Sequence, residues 1–162
     1  MLSGKEAHAK RCTFIHTGRA NANKSSMLRS MTAERSILLI DDDGVLRDLY
    51  RVKFKRAGFS TLEAGNGQEA ITLLAKGAKP DAILLDLIMP VMDGIAFLQE
   101  AKHKALTLPP LIVFTSQEGD IDKVKAFAFG ANQFVQKATA TPKMILEKVE
   151  MLLQQKQAAQ AL

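Results

Sequence analysis

The chain has 162 residues, and 47% of them are hydrophobic, which is enough for one buried core of ordinary size. Its formal net charge of +5 lies wholly in residues 1–35, where seven Lys or Arg outnumber two Glu, whereas residues 36–162 hold fifteen charges of each sign. A basic nucleic-acid-binding surface is therefore not expected on the globular part. The single cysteine, Cys12, excludes a disulfide framework and agrees with a cytoplasmic location.

Residues 1–34 form a basic leader that we expect to be disordered. They are rich in Ser, Ala, Asn and basic residues and show no apolar periodicity. They also lack the apolar stretch of about 7–15 residues that a signal peptide needs, so neither secretion nor a membrane span is predicted. An inert leader is the first interpretation, and a basic arm that contacts nucleic acid or an anionic membrane is the alternative.

Residues 35–155 alternate between strand candidates and helical stretches. The strand candidates, each too short for a helix, are Ile37–Ile40, Phe59–Glu63, Ala82–Leu85, Leu111–Phe114 and Gln133–Gln136. A helix is predicted after each of them, the last beginning at Thr141, a helix-capping residue followed by proline. Residues 156–162 are expected to form the tail of that last helix.

The helical stretches carry apolar residues at helical spacing. In the first stretch these are Val45, Leu49 and Val52. In the fourth they are Ile121, Val124 and Phe127 or Ala128, and in the fifth Ile145, Val149 and Leu152. Each helix that connects two parallel strands must cover one face of the sheet. Five strand–helix units in series therefore predict an α/β fold with a doubly wound, five-stranded parallel sheet.

Polar side chains follow four of the predicted strands at the point where each strand ends. They are Asp41–Asp43 after the first strand, Asp86 after the third, Thr115 after the fourth and Lys137 after the fifth. Because the carboxyl ends of parallel strands share one edge of the sheet, these side chains are expected to form one pocket. Clustered carboxylates repel one another unless a cation binds among them, and oxygen ligands suit Mg²⁺. With a lysine and a threonine beside them, the acids predict a site that handles phosphoryl groups.

The segments that hold these residues resemble the receiver domain of two-component response regulators. They are ILLIDDDGVLRDLY, PDAILLDLIMPVMDG, LIVFTS and GANQFVQK. The resemblance implies a flavodoxin-like sheet with strand order 2-1-3-4-5 and five helices over residues 35–155. It also implies a signalling domain rather than an enzyme. Because the chain ends soon after the fifth predicted helix, we expect a stand-alone, chemotaxis-regulator-like receiver or an excised one.

The resemblance assigns a phosphoacceptor and a metal site. Asp86 matches the phosphoacceptor, and an aspartate can attack phosphorus to form an acyl phosphate. Asp41 and Asp42 match the acidic pair that holds Mg²⁺, with Asp42 favoured as the direct ligand. Asp86 itself and the backbone carbonyl of Ile88 complete the expected ligand set. The expected phosphoryl donor is a sensor histidine kinase or a histidine phosphotransfer protein.

The resemblance also assigns a switch. Thr115 matches the switch hydroxyl, Lys137 the phosphate-pairing lysine and Phe134 the aromatic switch residue. A bound phosphoryl group would attract Thr115 inward, and Phe134 would move into the vacated space. We expect this change to alter a protein-contact face made by the fourth helix, the fifth strand and the fifth helix, where a downstream protein binds.

Two residues beside the expected phosphoryl group are predicted to set its lifetime. Ile88 lies two residues after the phosphoacceptor, and its side chain cannot hydrogen-bond to an attacking water and should exclude it. Gln117 lies two residues after the switch hydroxyl and could position a water instead. We expect Ile88 to dominate, because its branched side chain is stiff and close in sequence, so the phosphorylated state should be long-lived.

Two other interpretations stay open at this point. The run LLIDDDGVLRD also fits the nucleophile motif of haloacid-dehalogenase-type phosphatases, with Asp41 as nucleophile and Asp43 as acid and base. That family needs a further acidic motif after its lysine, and the single helix predicted after Lys137 carries only two glutamates. The second interpretation is an interaction module that is never phosphorylated, against which the complete set of site residues argues.

Overall fold

The computed structural model describes residues 35–117 and 119–161, which alternate between strands and helices. In chain order the elements are β1 (Ser36–Ile40), α1 (Gly44–Arg56), β2 (Ser60–Ala64), α2 (Gly67–Ala75), β3 (Ala82–Leu85), α3 (Gly94–His103), β4 (Leu111–Thr115), α4 (Asp120–Ala128), β5 (Gln133–Gln136), a 3₁₀ turn (Lys137–Thr139) and α5 (Pro142–Gln160). All the predicted elements are present, although β2 begins at Ser60 rather than Phe59 and β4 extends to Thr115. The leader predicted for residues 1–34 lies outside the described residues.

The strands form one parallel sheet in the order β2-β1-β3-β4-β5. This confirms the predicted doubly wound, flavodoxin-like arrangement. In the register of the sheet, Ile40 lies opposite Leu85, and Leu85 lies opposite Val113. Asp41 and Asp86 therefore directly follow paired residues of neighbouring strands and lie at the same edge of the sheet.

Apolar side chains cover both faces of the sheet. Successive residues of a strand point to opposite faces, so Leu38 of β1 packs in one cluster with Phe97 of α3, and Leu39 packs in the other with Phe54 of α1. Burial on both faces explains why β1 and β3 read as continuous apolar runs rather than alternating ones. The polar residues that follow these strands are thus attached to the most buried part of the fold.

The buried faces of α1 and α4 are not the ones predicted from the apolar spacing in the sequence. The buried side chains of α1 are Tyr50 and Phe54, and the ring centroid of Tyr50 lies 5.2 Å from that of Phe114 in β4. In α4 the small Ala126 is buried against the sheet. The marked residues that are exposed instead are Val45, Leu49, Val52, Ile121, Val124, Phe127 and Ala128. The aromatic pair of α1 occupies the contact with the sheet and so turns the valines outward.

The face predicted for α5 is confirmed, since Ile145, Val149 and Leu152 are buried. The start of α5 is confirmed as well, because Thr141 caps the helix and Pro142 opens it. Asp43 and Asp93 cap α1 and α3 in the same manner, by accepting hydrogen bonds from backbone amides. None of the helices in the described residues combines the length and the apolar character that crossing a membrane requires.

Candidate functional site

Three carboxylates meet at the C-terminal edge of the sheet. Asp41 and Asp42 follow β1, Asp86 follows β3, and one oxygen of each carboxylate lies within 4.8 Å of the others. Asp41 and Asp86 are 7% and 3% exposed, whereas Asp42 is open to solvent. The structure thus brings together the three acids that the sequence grouped. Their donor set, made of carboxylate oxygens with one side open to water, fits Mg²⁺.

Lys137 supplies a cation between the two buried acids. It follows β5, and its Nζ lies 2.5 Å from Oδ2 of Asp86 and 2.7 Å from Oδ2 of Asp41. Its ammonium also lies 5.7 Å from the centroid of the Phe114 ring, which lies under the site in β4. One ammonium group is therefore shared by two carboxylates that would otherwise repel each other.

Burial and the neighbouring charges shift the pKa values of Asp41 and Lys137. Burial raises the pKa of Asp41, and the hydrogen bond from Lys137 offsets only part of that rise. Burial by itself would lower the pKa of Lys137, but the hydrogen bonds to Asp41 and Asp86 together with the attraction of their charges raise the pKa overall. The ammonium is therefore firmly protonated, while the carboxylates beside it gain from every additional positive charge.

Backbone amides hold the second oxygens of the buried acids. Oδ1 of Asp41 accepts from the amide of Asp43 at 2.9 Å, and Oδ1 of Asp86 accepts from the amide of Ile88 at 3.1 Å. The carboxylate of Asp43 itself accepts hydrogen bonds from the backbone amides of Val45 and Leu46 in the first turn of α1. Asp43 therefore serves as a helix cap, which is not the acid–base role that the phosphatase interpretation requires of it.

The remaining predicted residues lie on β4 and β5 or directly after them. Thr115 ends β4 with no exposed surface, and its Oγ1 accepts from the amide of Gln117 at 3.2 Å. The side-chain amide of Gln117 donates to Asp122 of α4. Phe134 lies in β5 opposite Val113 and is partly buried. The hydroxyl is thus next to the strand that carries Asp86, and the aromatic ring lies further out on the edge strand.

Arg47 belongs to the site, although nothing in the sequence singled it out. It lies in the first turn of α1, and its Nη1 donates to the backbone carbonyl of Asp41. Its Nε lies 3.6 Å from Glu63 of β2. The only signal in the sequence was a basic residue one turn into the helix that follows the acids, and that signal is common on exposed helices.

Two further residues shape the loop between Asp86 and α3. A Cβ on Gly94 would lie 2.8 Å from the Cα of Leu87 and would press on the carbonyl oxygen of Asp86, so only glycine fits. Val91 has a φ of 69°, a left-handed conformation that is strained for a β-branched residue. The Asp93-Gly94 pair at the start of α3 was a usable sequence signal for the glycine. No sequence pattern indicated the left-handed conformation of Val91.

Comparison with solved structures identifies the architecture. A receiver-domain protein described as CheY-like, from Methanospirillum hungatei JF-1, superposes with a TM-score of 0.72 at 23% identity, over 78% of this chain and 99% of that one. Chemotaxis protein CheY4 of Vibrio cholerae superposes with a TM-score of 0.66 at 26% identity, over 74% of this chain and 99% of that one. At such identities the likeness is one of fold.

Comparison of sequences identifies the family. The transcriptional regulatory protein ResD of Bacillus subtilis (strain 168) is 36% identical over 124 residues, which cover 75% of this chain and 49% of ResD. The chain thus spans about half the length of that relative. The family model for the response regulator receiver domain matches residues 37–150. The chain therefore belongs to the family of response regulator receiver domains, whose general function is the transfer of a phosphoryl group to an aspartate.

Proposed function

We propose that Asp86 is the phosphoacceptor of this receiver domain in a two-component phosphorelay. The observation that carries the proposal is the ammonium of Lys137, 2.5 Å from Asp86 and 2.7 Å from Asp41, since a cation there could pair with a phosphoryl oxygen once one is attached. Asp86 also follows β3, which lies between β1 with its acids and β4 with Thr115. That central position favours Asp86 over Asp41 as the nucleophile.

In the proposed reaction, a carboxylate oxygen of Asp86 attacks the phosphorus of a phosphohistidine. An O–P bond forms, the N–P bond to the imidazole breaks, and an acyl phosphate results. Asp41, Asp42, Asp86 and the backbone carbonyl of Ile88 would hold Mg²⁺, which would supply positive charge beside the phosphoryl oxygens. The acidic pair would thus hold the metal ion, and Lys137 would bind and orient a phosphoryl oxygen.

The proposed switch runs from the hydroxyl of Thr115 to the face of α4, β5 and α5. Thr115 would turn to bind a phosphoryl oxygen, and Phe134 would follow into the space it leaves. A groove of about 390 Å³ lies on this face, and Phe134, Lys123 and Lys148 contribute to its lining. The exposed apolar residues of α4, among them Val124 at 66% exposure, extend the same face. An apolar surface next to the switch residue supports a downstream protein partner there.

A sensor histidine kinase or a histidine phosphotransfer protein is the proposed phosphoryl donor. Response regulators act with histidine kinases as a family. One relative, 34% identical over 119 residues that cover 72% of this chain and 15% of that protein, is named the sensor histidine kinase CheAY of Helicobacter pylori (strain ATCC 700392 / 26695). A cytoplasmic location, with which the single cysteine agrees, is part of the same proposal.

A long lifetime of the phosphorylated state is part of the proposal. Ile88, two residues after Asp86, offers no side-chain hydrogen bond to an attacking water. Gln117 is the residue that could oppose this effect, but its side-chain amide donates to Asp122 of α4. That engagement supports the dominance of Ile88, since a side chain already bound to α4 is less free to orient water.

The experiment is incubation with acetyl phosphate, with and without Mg²⁺, followed by intact-mass measurement. Wild type should gain one phosphoryl group only with Mg²⁺, and Asp86→Asn should gain none. Asp81→Asn is the matched control, because Asp81 lies away from the cluster. Its Oδ2 accepts from the amide of Ser36, at the start of β1, at 2.8 Å. A label that persists in Asp86→Asn and is lost in Asp41→Asn would indicate the phosphatase-type nucleophile. A protein that never takes up label, even from kinases, would be an interaction module.

A further inference from the structure

Arg47 connects three elements of the fold beneath the acidic pair. Its Nη1 donates to the carbonyl oxygen of Asp41 at the end of β1, and its Nε lies 3.6 Å from Glu63 of β2. The side chain is 21% exposed, and among the described residues its buried Nε has no partner within hydrogen-bonding distance. The guanidinium is therefore held against the backbone that follows β1 rather than extended into solvent.

The carbonyl that Arg47 binds belongs to the peptide unit linking Asp41 to Asp42. The amide of Asp41 is fixed separately, by donating to the carbonyl of Ala64 at 3.1 Å, and its carboxylate is fixed by Lys137. The carboxylate of Asp42 is exposed and forms no hydrogen bond or ion pair with the described part of the chain. Its direction therefore depends on the backbone on either side, which is held by Arg47 at the carbonyl of Asp41 and by the hydrogen bond from the amide of Asp43 to Asp41.

We propose that Arg47 is a positioning residue that aims the carboxylate of Asp42 at the metal site shared with Asp41 and Asp86. This inference rests on the proposed function and deepens it, because it names a residue on which the affinity for Mg²⁺ depends. Arg47 acts through the backbone and is not itself a ligand. Groups that orient metal ligands in this way typically change metal affinity about 10- to 100-fold when they are replaced.

The sign of the effect separates positioning from simple electrostatics. Removing a positive charge beside a cation site should strengthen Mg²⁺ binding, because like charges repel. Loss of positioning should instead weaken Mg²⁺ binding. A variant without the Arg47 charge that binds Mg²⁺ less tightly is therefore explained by positioning and not by charge.

Arg51 provides the matched control. It lies one turn further along α1, carries the same charge and pairs with the same Glu63, at 3.3 Å, and with Asp48, at 2.5 Å. Its ion pairs do not include the backbone of Asp41. An effect that depends on the ion pairs of Glu63 should appear in both variants, whereas an effect that depends on the Asp41 carbonyl should appear only in Arg47 variants.

The experiment is calorimetric titration of Mg²⁺ into wild type, Arg47→Met, Arg47→Lys and Arg51→Met, with thermal unfolding as a check on folding. We expect Arg47→Met to bind about tenfold more weakly and Arg51→Met to bind as tightly as wild type or slightly more tightly. In acetyl phosphate reactions, Arg47→Met should need more Mg²⁺ for half-maximal rate but should reach about the wild-type rate, within about twofold, at saturation. Arg47→Lys keeps the charge but lacks the planar fork, so it should also bind more weakly.

The outcomes distinguish this inference from the proposed function. Wild type that does not bind Mg²⁺ would overturn the metal site itself. Wild type that binds, with Arg47→Met binding equally or more tightly, would overturn the positioning role alone. Equal weakening in Arg47→Met and Arg51→Met would also overturn it, because the ion pairs of Glu63 would then be responsible. If Arg47→Met does not fold, Arg47→Lys decides in the same way.

Discussion

Replacing Lys137 with methionine tests whether the buried acids depend on its charge. The Lys137 side chain is 18% exposed, and the side chains of Asp86 and Asp41 beside it are 3% and 9% exposed. Methionine keeps most of the apolar stem but leaves two carboxylates facing each other, and burial already raises the pKa of Asp41. Removing one partner of a buried ion pair costs about 3–5 kcal/mol. Because Lys137 keeps some contact with water, we expect the lower value, about 3 kcal/mol.

The assay is thermal and urea unfolding at neutral pH in the absence of divalent ions. A loss of this size should lower the melting temperature by roughly 10 °C for a chain of this length. Lys143→Met is the control, because Lys143 lies on α5 with 85% of its side chain exposed and 3.8 Å from Glu147. Exposed pairs of this kind contribute little, so the control should stay within about 0.5 kcal/mol of wild type.

Two rescue measurements then identify the cause of the loss. Mg²⁺ should restore stability in Lys137→Met, since a ligand that binds only the folded state adds about 2.7 kcal/mol at a hundredfold excess over its Kd. Adding Asp86→Asn to Lys137→Met should also restore stability, because it removes one of the two repelling charges. A Lys137→Met variant as stable as wild type would refute the reasoning. A loss that neither Mg²⁺ nor Asp86→Asn relieves would refute it too, since lost packing would then be the cause.

Three further predictions concern the loop after Asp86. Ile88→Asn should speed loss of the phosphoryl group about tenfold, equivalent to about 1.4 kcal/mol, measured by intact mass over time; an equal or slower rate would contradict the role of Ile88. Val91→Asn should stabilise the fold by about 1 kcal/mol in urea unfolding, because asparagine tolerates the left-handed φ of 69°. Its control, Val45→Asn on α1, should change stability by less than about 0.5 kcal/mol. Gly94→Ala should cost about 1–3 kcal/mol, whereas Gly44→Ala should cost nothing, because the nearest atom to its new Cβ would be Nη2 of Arg47 at 3.7 Å. Equal effects in either matched pair would refute the local explanation.

The edge of the sheet could be predicted from the sequence because strand ends are marked by composition. The runs ILLI and AILL end at Asp41 and Asp86, and the strand order implied by the family resemblance places these two acids side by side. The same rule applied to β5 predicted that Lys137 lies at this edge, whereas its position between the two acids comes from the structure. The prediction of these neighbours needed only the order of the strands.

The faces of the helices could not be predicted in the same way. Helix α1 carries two apolar stripes, one with Val45 and Val52 and one with Tyr50 and Phe54. Aromatic contacts of Tyr50 with Phe114 and of Phe54 with Phe59 select the second. The contact of Arg47 with a backbone carbonyl likewise depends on how α1 packs, and a carbonyl leaves no mark in the sequence. Tertiary packing decided both features.

The role of Asp86 is tested most directly by locating the acyl phosphate in the chain. Borohydride reduces an aspartyl phosphate to homoserine, which tandem mass spectrometry of the digested protein assigns to one position in the chain. After treatment with acetyl phosphate and Mg²⁺, we expect homoserine at position 86 and none when Mg²⁺ is removed. Homoserine at position 41, or at no position, would contradict it.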